Sequence, residues 1–128
     1  MRAVKPNRSR PKPAAHERAL GHYRKRYEAL KAKLRALGYI CRGSISRPWL
    51  TCGKPSCACH SDPAQRHGPY TYWTRKVGGK TQSRMLDDPL ARLYEEGIRN
   101  HRKLDLLIEQ MGELSLLAFQ AAKMASKR

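Results

Sequence analysis

Six apolar residues near the start of the chain, Leu20, Tyr23, Tyr27, Leu30, Leu34 and Leu37, follow one another in steps of three and four. That spacing lays a single stripe along a helix and matches a coiled-coil seam. A helix is therefore predicted over residues 14–38, roughly 36 Å long at the standard rise. Its other faces carry Arg24, Lys25, Arg26, Lys31, Lys33 and Arg35, and Gly38 suits the stop. The pattern then shortens. Residues 39–50 hold β-formers broken by Gly43 and Pro48, which predicts a short edge strand near 44–46. Residues 70–76 and 80–86 flank Gly78-Gly79, the signal of a hairpin closed by a two-residue turn. Such a turn fixes the register: Val77 opposite Lys80, Arg75 opposite Gln82, Trp73 opposite Arg84, Tyr72 opposite Met85. Alternation then places Trp73, Arg75, Gln82 and Arg84 on one face, read as exposed. It places Tyr70, Tyr72, Thr74, Ser83 and Met85 on the other, read as core. Asp87-Asp88-Pro89 opens a last helix, an Asp as cap and Pro in the first turn. Its stripe holds Leu93, Tyr94, Ile98, Leu104, Leu107, Ile108, Met111, Leu114 and Leu117, and it is predicted to reach about residue 122.

These elements describe an α+β fold. A small zinc-stapled β-hairpin or three-stranded sheet is flanked by two long amphipathic helices that pack as a coiled-coil-like hairpin. In chain order the parts are a disordered basic arm over 1–13, the basic helix over 14–38, a zinc-binding β unit over 39–86 and the long helix over 87–128. A chain of 128 residues buries only a modest core, so a metal staple or a second subunit would help it.

The net charge of +17 is unevenly spread. Residues 1–38 carry twelve Lys/Arg against two acids, residues 39–86 eight against one, and residues 87–128 seven against seven. The field belongs to the first two-thirds of the chain and points to a polyanion there. No apolar run approaches the length that crosses a bilayer. The basic N-terminus lacks the apolar segment of a signal peptide. A cytoplasmic location follows as the expectation, with no membrane partner and with cysteines reduced or metal-bound.

Three cysteines and two histidines lie between Cys52 and His67. Cys52, Cys57, Cys59 and His67 form a C-x4-C-x-C-x7-H arrangement, a Cys3His donor set that suits a tetrahedral structural Zn2+. His60 competes with His67 for the fourth place. His67 is preferred because His60 adjoins Cys59 and points elsewhere, whereas His67 sits at the mouth of the hairpin. Cys41 is read as a small buried or unpaired thiol. A catalytic role is not expected. A closed four-ligand site leaves no place for a reacting water, the cluster holds only Asp62 as a carboxylate, and Gly78-Gly79-Lys80-Thr81 lacks the upstream glycine of a phosphate loop. No small-molecule substrate is implied.

The runs CGKPSCACH, HGPYTYW and GGKTQSR resemble a family of small bacterial proteins of unknown function, often encoded near mobile elements. The resemblance covers about residues 43–120 and rests on Cys52, Gly53, Lys54, Pro55, Cys57, Cys59, His67, Gly68, Pro69 and Tyr70. It implies His67 as the fourth ligand and carries no activity. The basic first helix is longer than the resemblance leads one to expect.

Two functions follow as expectations. The first is a zinc-stabilised, basic, nucleic-acid-binding accessory protein, with DNA favoured over RNA and a link to mobile-element DNA. Arg24, Lys25 and Lys31 would meet phosphates, and Trp73, Arg75, Lys80, Gln82 and Arg84 would form the hairpin's contact face. The second is a non-enzymatic coiled-coil adaptor that docks on a protein or an RNA–protein complex. The helices would then also carry a homodimer or a larger assembly.

Overall fold

The computed structural model describes residues 13–126 of the chain. Residues 1–12, most of the expected basic arm, lie outside them. Helix α1 spans Pro13–Arg35, strand β1 Ser44–Ser46, strand β2 Thr71–Val77, strand β3 Lys80–Leu86 and helix α2 Asp88–Ser126. Two single 3-10 turns, Ala58–His60 and Pro63–Gln65, lie between β1 and β2. The described residues fall into two compact units. One is helical, residues 13–36 with 104–126. The other holds residues 37–103, with the sheet, the cysteine loop and the first part of α2.

In the helical unit, α1 packs along the distal part of α2. Leu20, Tyr23 and Tyr27 share one groove with Leu114, Ala118 and Phe119, and Leu30 shares another with Leu114 and Leu117. The expected seam of α1 is the half-buried side of that helix. On α2 the buried positions are Leu107, Leu114 and Ala121, at spacings of seven, which keep one face toward α1.

In the other unit the three strands lie in the order β1-β2-β3, all antiparallel. The hairpin has the predicted register, with Trp73 opposite Arg84 and Val77 opposite Lys80. Gly78 and Gly79 both adopt positive φ, as a two-residue turn between twisted strands requires. The Asp87 carboxylate accepts from the Leu90 N–H at 2.9 Å and so caps α2.

The hairpin departs from the expectation at Trp73 and at Ser83 and Met85, while Arg75, Gln82 and Arg84 are exposed as expected and Tyr70, Tyr72 and Thr74 are half-buried. Trp73 is only 8% exposed and forms the core with Leu86, Ala91 and Ile98, backed by Cys41, Ile45 and Tyr94. Its ring meets Tyr94 edge-on at 4.9 Å, and its indole N–H donates to the Arg42 carbonyl at 2.8 Å. Met85, on the supposed core face, is 58% exposed. The reason lies in α2. Its first turns pack on the Thr71–Trp73–Leu86 side of the sheet, and the largest apolar ring follows the helix. The segment before β1 is held on the same helix: the Cys41 N–H donates to the Gly97 carbonyl at 2.9 Å, and Asn100 Nδ2 donates to the Tyr39 carbonyl at 2.9 Å. Only glycine fits at position 97, since a Cβ there would lie 2.7 Å from that of Cys41.

Candidate functional site

The loop from Leu50 to Tyr70 is closed at its base by backbone bonds. Leu50 and His67 exchange two N–H···O bonds of 2.8 Å each, and the Tyr70 N–H donates to the Pro48 carbonyl at 2.9 Å. Within the loop, Cys57 N–H donates to the Lys54 carbonyl at 3.1 Å, which closes the turn through Gly53 and Pro55. The 3-10 turn Ala58–His60 then swings Cys59 inward, and Asp62 caps the next turn by accepting from Ala64 N–H at 3.0 Å. These turns use the small and Pro-rich residues of the loop to bring distant side chains to one point.

That point is formed by Cys52, Cys57, Cys59 and His67. One ligand atom from each lies within 4.8 Å of all the others, so the four could hold a metal ion. The Cys52 and Cys59 sulfurs are 3.6 Å apart, and Cys57 Sγ is 3.5 Å from His67 Nε2. Cys59 is the most deeply buried of the four, at 2% exposure, and its sulfur accepts the Cys52 backbone N–H at 3.3 Å. His60 is exposed and outside the cluster. The choice of His67 over His60 is therefore the one the geometry carries.

The thiols are electrostatically unlike one another. The Cys59 backbone N–H, aided by His67 and the neighbouring sulfurs, lowers the Cys57 thiol to about 6. At Cys59 the Cys52 N–H acts in the lowering direction, but burial and the adjacent Cys57 and Cys52 sulfurs leave it raised. Such crowding of sulfurs with opposed tendencies is relieved when a cation takes the centre. Cys41 stands apart, on the hydrophobic core, where burial pushes its thiol up.

The residues expected to meet nucleic acid divide into three groups. Arg24, Lys25 and Lys31 are exposed on α1, in the helical unit, and Lys31 is paired with Glu28 at 3.4 Å. Arg75, Lys80, Gln82 and Arg84 are exposed on the hairpin. Trp73 is not available: it is a core residue, and the Arg75 guanidinium lies over its ring, 4.9 Å from the centroid. Lys76 shares the exposed hairpin and was missed. The absence of any acid between residues 63 and 86 was the signal that could have found it. Beyond Thr74 the hairpin has no β1 neighbour, and every residue from Arg75 to Met85 is exposed. Among the described residues neither ion pair, Lys31–Glu28 or Arg47–Glu95, involves it.

Among the described residues no helix is long and apolar enough to cross a membrane. No curated protein and no solved structure matches the chain. A family model described as a domain of unknown function does match, over residues 21–95. The match begins earlier than residue 43 and takes in α1 from residue 21 on, so most of the basic helix lies in the shared region, and the match ends at residue 95, short of the expected 120. It also spans the sheet, the opening of α2 and all four residues of the cluster, more than half of the chain. The chain belongs to the DUF6788 family, a domain of unknown function.

Proposed function

We propose that this protein is a zinc-stabilised, non-enzymatic nucleic-acid-binding protein, with the hairpin as its contact element. One observation carries the reading: an acid-free hairpin, exposed over residues 75–85, presents Arg75, Lys76, Lys80 and Arg84 after a metal-type loop. Zinc fits the donor set. With Zn–S of about 2.3 Å and Zn–N of about 2.0 Å, a tetrahedral site has S···S edges of about 3.8 Å and S···N edges of about 3.5 Å. The observed 3.6 and 3.5 Å separations agree with those edges. Bound zinc would supply structure and no reaction, because all four positions are taken by protein.

A two-stranded ribbon is narrow enough to enter the major groove of DNA, and its cations can neutralise phosphates on either side. Since Trp73 is buried, recognition by stacking on that ring is replaced by phosphate and groove contacts from the hairpin and the exposed cations of α1. DNA is favoured over RNA because the major groove of an RNA helix is too narrow for such a ribbon. The resemblance to proteins encoded near mobile elements supports DNA as the target in the same sense. The test is binding to generic duplex DNA and RNA over a salt series. Affinity that falls steeply with salt is expected, and no binding at low salt would refute the reading.

A second reading, an adaptor that docks on a protein or RNA–protein complex, draws support from α2. Leu106, Ile108, Leu116 and Phe119 are each more than half exposed. Retention of partners from lysate after nuclease treatment, with loss of binding to free nucleic acid, would favour it.

A further inference from the structure

Two surfaces of the chain are opposite in character. The first is an open groove of about 680 Å³ in the unit of residues 37–103. Its apolar wall is Tyr39, Ile40, Leu90 and Leu93, which are 97, 50, 40 and 63% exposed, and Arg42, Arg75 and Glu96 also line it, two cations to one acid. Three of those four side chains are aliphatic. They give a nucleobase little to stack on and fit the apolar side of a protein helix. The second surface is on the distal part of α2. Leu106, Glu109, Glu113 and Leu116 follow at steps of three, four and three, with Leu117 beside them, so they form one ridge along the helix, whose Glu113 and Leu117 also border the groove against Arg26, Leu30 and Lys33 of α1. The three leucines are 55, 68 and 43% exposed, for residues 106, 116 and 117 in turn. Residues 104–122 hold three acids and no Lys or Arg, in a chain of net charge +17.

We propose that the acidic apolar ridge of α2 docks in the basic-edged groove of a second copy of this chain. The two surfaces are complementary: apolar against apolar, the Glu109 and Glu113 carboxylates against a groove whose charged residues, Arg42, Arg75 and Glu96, sum to a positive charge, and a helical ridge against a groove. Taking a fully exposed Leu or Ile as about 200 Å² and Tyr as about 250 Å², one such contact removes roughly 900 Å² of apolar surface from water. A standard interface of about 1,600 Å², a little over half of it apolar, contains about the same. The contact also covers apolar side chains that a monomer would leave in solvent. This inference does not depend on nucleic-acid binding.

The experiment is a charge-reversal cycle on nuclease-treated protein at about 150 mM salt, read as mass by light scattering. The parent is expected at two copies or more in the tens-of-micromolar range. Arg42→Glu with Arg75→Glu sets acids against acids and should be monomeric. Glu109→Lys with Glu113→Lys sets cations against cations and should be monomeric too. An equimolar mixture of the two variants restores attraction between the groove of one and the ridge of the other, so the mass should rise again. All four positions are exposed, and unchanged circular dichroism melts establish that the variants fold. A photo-crosslinking residue at position 39 of the parent should label the peptide that contains residues 106–117. A monomeric parent, an assembly that vanishes with nuclease, a mixture that stays monomeric, or a label confined to other segments overturns the proposal.

Discussion

Replacing Trp73 with alanine separates a core tryptophan from a recognition tryptophan, and the structure fixes the expected size of the effect. The ring is 8% exposed, meets Tyr94 edge-on at 4.9 Å and packs with Leu86, Ala91 and Ile98. Truncating a buried aromatic costs about 3–5 kcal/mol in transfer energy and cavity. The loss of the indole bond to the Arg42 carbonyl adds about 1 kcal/mol. In a unit of this size each kcal/mol moves the melting midpoint by about 4–8 °C, so Trp73→Ala should lower it by about 15 °C or more. Trp73→Phe keeps most of the burial and should cost about 1–2 kcal/mol. The exposed neighbour across the ladder is the control: Arg84→Ala should stay within about 0.5 kcal/mol of the parent. Thermal melts by circular dichroism on metal-loaded protein, alongside DNA titrations, measure both quantities. If Trp73→Ala melts with the parent and loses only nucleic-acid binding, the ring acts as an exposed platform and the core assignment fails.

Three further outcomes follow. Freshly purified protein should contain one zinc per chain by elemental analysis, and Cys57→Ser should lose it. Leu107→Asp, at a position 7% exposed, should destabilise the helical unit by several kcal/mol in urea melts, because it buries an unpaired charge. Replacing Arg75, Lys80 and Arg84 with Gln should lower the slope of log affinity against log salt for duplex DNA by about one for each phosphate that is no longer neutralised; an unchanged slope would remove the hairpin from the interface.

The sequence carried the local geometry well and the packing poorly. The two-residue glycine turn specifies which residues oppose which, so the hairpin register and the short strand β1 stand as read. The grouping of Cys52, Cys57, Cys59 and His67 was readable for a similar reason: Cys and His chemistry is specific, and the intervening turns are short. Which face of the hairpin is inside was not readable from alternation. Both faces hold aromatics, and the choice is made by α2, which packs on the Trp73 side. The stripe on α2 was also read too broadly. Leu93, Ile108 and Leu117 fit the helical period but are exposed, while the small residues Ala91 and Ala121, which allow close approach, are buried. Gly97 falls on or beside the apolar stripe and Asn100 carries no periodic signal, but the roles of both in holding the segment before β1 come from one close approach and one hydrogen bond.

How far the effect of metal loss spreads can be argued from what each part is tied to. The four candidate ligands lie between Cys52 and His67, and among the described residues the base of their loop is tied by the Leu50–His67 bonds and the Tyr70–Pro48 bond. None of the four belongs to the cluster of Trp73, Leu86, Ala91 and Ile98. The sheet below the loop has its own ladder, and α2 has its own cap at Asp87. Apart from Cys59, the loop residues 51–66 are exposed or half-buried, so little apolar burial holds the loop once the ion is gone. Chelation should therefore release the loop and leave the core standing. Hydrogen exchange on chelated protein should show protection falling away across residues 50–69, with protection kept at residues 71–74 and in α2. The same pattern is expected for Cys57→Ser. If chelation removes protection from β2 and from the first turns of α2 as well, the ion is a determinant of the whole unit's folding. Uniform protection with and without chelator would mean that the backbone bonds at the loop's base suffice and that the cysteine cluster does not hold a structural ion.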